Sequence, residues 1–288
     1  MGTEQGFGHV DWSASTASLY ASCPRRFYYR NSASHSELET ANPSSGTTVQ
    51  PPGAKVGIVV HDCIEEQVSR WRENMPLSLQ TAQTSATQQL QAYLDDNKRV
   101  IETRYFNGDG AFDPTEFARS LIRTAHNHLE CFFQVIWPQL DDHQYILHEQ
   151  TKSFEVGGQT VWVKPDLCTR SQGGEFVVTD WKTSPPDRFS DPDLQVLTYA
   201  LWAYQCYEPD LERILVQLVH TKQGEFDRTQ PDTDDIATIR DRIISDYETW
   251  QETTSVADFT PKPEKGKCEG CPYLDQCNAG KSVVGDPS

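Results

Sequence analysis

Apolar residues fall at positions 56, 60, 64, 68 and 71, the spacing of one helical face, which predicts a helix over Val56–Trp71. His61 lies one step, roughly 100°, off that stripe. Upstream, residues 13–30 open on a Ser/Thr cluster suited to capping a short helix, and Pro24 restarts the chain after Cys23. Residues 1–10 read as a loose terminus. Residues 31–54, rich in Ser, Thr, Pro and Gly, read as a loop. Residues 78–137 carry further helical stretches, first rich in Gln and Ala, then marked by Phe117, Leu121, Leu129, Phe132 and Phe133, and Pro138 ends them.

The pattern then changes. Tyr145–Val156 and Thr160–Cys168 read as strands joined at Gly157-Gly158, a good hairpin turn. Gly173-Gly174 makes a second turn into a strand over Glu175–Trp181, and Pro185-Pro186 break the chain. Pro192 fits the start of a helix reaching about Tyr207. Arg213–His220 alternates like a strand, Ile236–Trp250 reads as a helix, and the tail from Asn278 reads as frayed. The predicted order is helices, three strands, helix, strand, helix, without an internal repeat or a clear linker. That is an α/β core with a helical insertion.

Composition narrows the classes. With 288 residues the chain can bury a full core. A mean hydropathy of -0.63 and the lack of any apolar run near the roughly 18 residues of a membrane span predict a soluble protein. Residues 1–11 show no basic stretch followed by an apolar one, so no secretory signal is read. The expected place is the cytoplasm, where the 8 cysteines are reduced thiols or metal ligands. The net charge of -17 leaves two readings. In one, nucleic acid is not the ligand. In the other, acid covers the outer surface and a local basic groove survives, as suits a saline cytoplasm where salt screens exposed charge.

Two constellations carry chemistry. The first is Pro165-Asp166, then thirteen residues, then Asp180-Trp181-Lys182. Paired strands bring the two carboxylates to one end of a sheet, where they suit Mg²⁺ or Mn²⁺. A phosphodiester needs such an ion to blunt its charge and activate water. Lys182 is two residues beyond Asp180 and so on the same strand face. The bland alternative makes the acids turn residues and Lys182 a surface charge. His61 is a further candidate ligand from the preceding helix, and Glu149 is read as a solvated or structural acid. Gln195 and Tyr199, four apart, share a helix face and can hydrogen-bond a metal-bound water, Lys182 or DNA; the bland alternative, stronger when the pair is taken alone, is an ordinary amphipathic helix.

The second constellation is Cys23 with Cys268, Cys271 and Cys277, in Cys-x2-Cys-x5-Cys spacing. Four thiolates suit Zn²⁺ or a [4Fe–4S] cluster, and spacing alone does not choose. Either would bolt segments 13–30 and 262–278 together. Cys63, Cys131, Cys168 and Cys206 fall in apolar segments and read as core. Arg25, Arg26 and Arg30, interleaved with Phe27, Tyr28 and Tyr29, form a local basic patch suited to packing near such a cluster or to DNA contact. Gly280-Lys281-Ser282 resembles the end of a phosphate-binding loop, but Asp275 stands where its first glycine belongs, so ATP binding is rejected.

Taken together, these residues resemble the RecB-like branch of the PD-(D/E)XK nuclease superfamily, nearest its iron–sulfur subgroup of AddB and CRISPR-associated RecB-like exonucleases. Gly57–His61 is similar to the G-x-x-x-H element, Asp166 to the first metal-binding acid, Asp180-Trp181-Lys182 to D-x-K, and Gln195–Tyr199 to Q-x-x-x-Y. The resemblance runs from Ser13 to Cys277. It implies a restriction-endonuclease-like mixed sheet flanked by helices, with a helical insertion over 72–140 in a single domain spanning 1–288. It implies a [4Fe–4S] cluster on the four cysteines, stapling the N- and C-terminal segments. It also implies Mg²⁺- or Mn²⁺-dependent cleavage of DNA, from ends and often single-stranded, with His61, Asp166 and Asp180 on the metal and Lys182, Gln195 and Tyr199 assisting. Departures are Lys164-Pro165 before Asp166 in place of a Gly-containing turn, and the length of the helical stretch. No helicase motif is present, so a helicase, repair or CRISPR partner is a separate chain. The rival classes are a non-catalytic DNA-end-binding or assembly subunit and a zinc-stapled interaction protein.

Overall fold

The computed structural model describes residues 10–32, 49–105, 113–184, 192–253 and 255–285. The Pro185-Pro186 break, residues 1–9 and most of the loop after residue 32 lie outside the described residues.

Two short helices, α1 (Ala14–Ser22) and α2 (Pro24–Asn31), come first. Ser13 caps α1 by accepting from the Thr16 N–H, and Pro24 takes the first turn of α2, where its missing N–H costs nothing. Helix α3 (Pro52–Arg72) carries the predicted stripe: Val56, Val60, Ile64 and Val68 are buried. Helices α4 (Leu79–Asp96), α5 (Lys98–Tyr105) and α6 (Pro114–Cys131) follow, capped by Ser78 before α4 and Asp113 before α6. A π-turn and a 3₁₀ turn containing Pro138 then close the helical stretch.

The chain next forms a five-stranded mixed sheet and a separate hairpin. The sheet takes β1 (Gln144–His148), β4 (Leu167–Arg170), β5 (Phe176–Lys182), β6 (Ile214–His220) and β7 (Glu225–Thr229), in that spatial order. Only β5 and β6 run parallel. The hairpin is β2 (Lys152–Val156) and β3 (Gln159–Val163). Gly157 (φ 58°) and Gly158 (φ 80°) both occupy the left-handed region its tight turn demands. Each strand predicted around that turn is therefore two strands. Glu149, at φ 50°, ends β1, and Pro165, with no N–H to donate, separates β3 from β4.

Alternation along β5 sorts the two cores. Phe176 and Val178 face one core with helix α7 (Pro192–Cys206) and helix α8 (Thr233–Glu252). Trp181 faces the other, with α3, α4 and α6, and meets Phe132 edge-on at 5.5 Å. Strand β7 was not foreseen because Glu-Phe-Asp-Arg-Thr is a polar, mostly exposed edge. Short helix α9 (Lys265–Glu269) precedes α10 (Asn278–Val284), so the predicted fraying from Asn278 is corrected. Cys277 supplies the α10 cap, its sulfur accepting from the Gly280 N–H at 3.4 Å. No described helix is long and apolar enough to cross a membrane.

The iron–sulfur staple is corrected as well. Cys23, Cys268, Cys271 and Cys277 do line one cavity, of 30 Å³. Yet among the described residues the group of ligand atoms that converges closely enough for a metal is elsewhere, at His61, Glu149 and Asp166. The ends are joined by packing and hydrogen bonds instead. Phe27 stacks against Phe259 and packs on Trp250, and Tyr29 packs on Tyr273. Tyr29 donates to the Gln276 carbonyl, Arg25 to that of Phe259, and Lys262 to that of Ala21. Burial pushes the Cys271 thiol above its usual pKa.

Candidate metal centre and its lysine

Three strand ends and one helix build the acidic site. In the β4–β5 register Leu167 faces Thr179, so Asp166, one residue earlier, comes to the position opposite Asp180. Helix α3 reaches this end because Gly57 lets it approach closely: a Cβ there would stand 2.7 Å from Thr183 Oγ1. That places His61 Nδ1 3.9 Å from Asp166 Oδ2. Glu149 arrives from the end of β1, its N–H shared between the carbonyls of Pro165 and Asp166. One ligand atom each from His61, Glu149 and Asp166 lies within 4.8 Å of the others.

Glu149 is the residue the sequence reading undervalued. Its left-handed backbone is uncommon for a residue with a Cβ and is held by the two carbonyl contacts and by its neighbour His148, pinned between Ser69 and Tyr145. The sequence signal was an acid directly after an alternating apolar strand, which is weak. Lys164 was also unassigned; its ammonium pairs with Glu149 at 2.5 Å. That partner raises the Lys164 pKa.

The second half of the site is a hydrogen-bonded block around Asp180. Lys182 Nζ sits 2.7 Å from Asp180 Oδ2 and donates to Gln195 Oε1 at 2.7 Å. Gln195 Nε2 donates to Asp180 Oδ1 at 2.8 Å and lies 3.1 Å from the Tyr199 hydroxyl. The Tyr199 hydroxyl proton is aimed at the Lys164 carbonyl (2.9 Å) and at Asp180 Oδ1 (3.2 Å). Burial, then the neighbouring acids, hold the Tyr199 phenol well above its usual pKa, so it remains a donor. Lys182 thus meets Gln195, and Gln195 meets Tyr199, one of the partnerships the sequence left open. Asp180, expected among the metal ligands, is engaged with Lys182 and Gln195 and lies outside the converging triad.

The donor set fits a hard divalent cation: two carboxylates and an imidazole, with the Asp166 side chain 13% exposed. Burial and the Asp180 charge push the Asp166 carboxyl well above the usual carboxylate range, partly opposed by the Trp181 N–H that donates to Oδ2 at 2.6 Å. Crowded negative charge of this kind is what a bound cation relieves. The predicted arginine patch is split. Arg25 is tied to Phe259, and Phe27 and Tyr29 are buried, which takes those aromatic faces away from any base, while Arg26 and Arg30 stay exposed.

With this geometry in hand, the profile of the PD-(D/E)XK nuclease superfamily matches residues 11–278. The chain belongs to the PD-(D/E)XK nuclease superfamily. Membership is shown at that level, while the narrower four-cysteine iron–sulfur branch is not upheld, since the converging ligands are His61, Glu149 and Asp166. Among solved structures the chain is similar to a candidate exonuclease from Eubacterium rectale, at 11% identity and a TM-score of 0.45, covering 96% of this chain and 90% of that one. It is also similar to the protein SSO0001, at 18% identity and a TM-score of 0.32, covering 66% of this chain and 81% of that one. No curated protein matches the chain.

Proposed function

We propose that this member of the nuclease superfamily is a Mg²⁺- or Mn²⁺-dependent deoxyribonuclease that acts on DNA ends or single strands. The observation carrying the reading is the convergence of His61, Glu149 and Asp166 beside a lysine held at the same sheet end. A divalent cation in that triad would offset phosphate charge and activate water for attack on phosphorus. The protein's own part is positioning. Asp180 and Gln195 hold the Lys182 ammonium by two short contacts, so it meets charge developing on the phosphate without reorganising. Tyr199 fixes Gln195 and Asp180 in turn.

The whole chain works as one nuclease unit, and the helical stretch over 72–140 is an insertion that shapes the DNA path. Exposed Arg26 and Arg30 contact the DNA backbone, a local exception to the net charge of -17. The test is incubation of linear single-stranded and duplex DNA with purified protein in Mn²⁺, Mg²⁺ or EDTA. Shortening that requires the cation supports the reading, and intact DNA with folded, metal-replete protein rejects it.

A further inference from the structure

Beside the acidic centre lies a cleft of 220 Å³ that the proposed chemistry leaves unused. Gln195 and Tyr199 line it, so it is continuous with the block that holds Lys182. Ser13 and Ser15, from the start of α1, line it too, together with Trp162 and Lys164. Along β3, Val161 and Val163 turn inward, which leaves Trp162 and Lys164 on the opposite, outer side.

Trp162 is the unusual member. Its side chain is 39% exposed, whereas Trp12, Trp181, Trp202 and Trp250 are each under 5% exposed. Its ring is also fixed: Nε1 donates to Asp11 Oδ2 at 2.9 Å. An exposed, oriented indole presents a flat π-face at little entropic cost, which is how single-stranded nucleic acid is gripped without sequence preference. Trp162 and Asp166 are four residues apart, so their Cα atoms are separated by at most about 14 Å. Lys164, two residues from each, has its side chain more than half exposed and can meet the phosphates between them.

We propose that this cleft is a base-stacking subsite, in which Trp162 stacks a nucleobase of a single DNA strand whose backbone passes Lys164 to the acidic centre. The inference rests on the deoxyribonuclease reading and adds how the strand is held. Inside a duplex the bases are stacked on each other and offer the indole no free face; only an end pair does.

Fluorescence anisotropy with labelled oligothymidylate and with a labelled closed circular duplex, which has no ends, tests this. All proteins carry Lys182→Ala, so that the strand stays intact in Mn²⁺. Adding Trp162→Ala is expected to weaken oligothymidylate binding by about ten-fold or more, with duplex binding unchanged. Trp162→Phe retains most of the affinity. Trp162→Leu, which keeps apolar bulk without a ring, loses affinity as the alanine variant does and guards against a simple folding effect. Equal oligothymidylate affinity with and without the indole overturns the subsite, as does an equal loss on the duplex. If wild-type protein cleaves DNA while Trp162→Ala changes nothing, the subsite alone falls. If wild type neither binds nor cleaves, both readings fall.

Discussion

Glu149 and Lys164 face one another carboxylate to ammonium at 2.5 Å, each from the residue just past a strand end. The pair ties a candidate metal ligand to the cleft that runs beside it. A cation held by the triad would draw on the same Glu149 carboxylate that now pairs with Lys164.

Glu149→Gln removes the negative charge and keeps the shape. Mn²⁺ affinity, read from the free-ion signal in electron paramagnetic resonance, is expected to fall by at least the roughly ten- to hundred-fold that loss of a supporting residue costs at metal sites. Unchanged affinity would remove Glu149 from the centre.

Gln195 accepts a 2.7 Å hydrogen bond from Lys182. Gln195→Ala leaves the triad intact but lets the ammonium wander, and misplacement of a group by about 1 Å can cost about 100-fold. The expected outcome is a kcat about 10- to 100-fold lower with Mn²⁺ affinity unchanged. A loss of metal affinity equal to the loss in rate would show that Gln195 serves the triad instead.

Gly57 sets how closely α3 meets the end of β5. In an open helix, Gly→Ala would stabilise by about 1 kcal/mol. Here the new Cβ would meet Thr183 Oγ1 at 2.7 Å, so Gly57→Ala is expected to be neutral or destabilising. In a Thr183→Ala background the same change should turn stabilising. Chemical denaturation of the four proteins measures the sign change, and its absence would discount the contact.

His128 gives a pH signature outside the acidic triad. Its Nδ1 lies 2.8 Å from Thr221 Oγ1, whose own proton is directed to the Lys182 carbonyl, so Nδ1–H is the donor. Burial, then Lys222, hold the imidazole below its usual pKa. The unfolded chain therefore takes up a proton before the folded one does, and stability falls as pH drops from above the unfolded pKa of about 6.5 towards the folded value. His128→Asn keeps a donor and removes that titration. Its unfolding midpoint should depend less on pH between neutral and mildly acid conditions than that of wild type.

The sequence made some elements plain and hid others for physical reasons. The α3 stripe, the Gly157-Gly158 turn and the Pro192 helix start are local signals, and the structure follows them. Local periodicity put Asp180 with Lys182 on one strand face and Gln195 with Tyr199 on one helix face, but that the two pairs meet is a tertiary contact that spacing does not carry. Glu149 was not legible, because its place depends on a positive φ and on a partner fifteen residues later, Lys164. The four cysteines misled in another way. Their segments do come together, but aromatic packing around Phe27, Trp250 and Phe259 achieves this, and spacing does not report whether the sulfurs converge.

The most direct test of the central claim is the rate of cleavage of end-labelled single-stranded DNA by wild type and Lys182→Ala in Mn²⁺. Circular dichroism first establishes that both are folded. The account predicts cation-dependent shortening by wild type and a rate at least about 100-fold lower in the variant. Equal rates would contradict it.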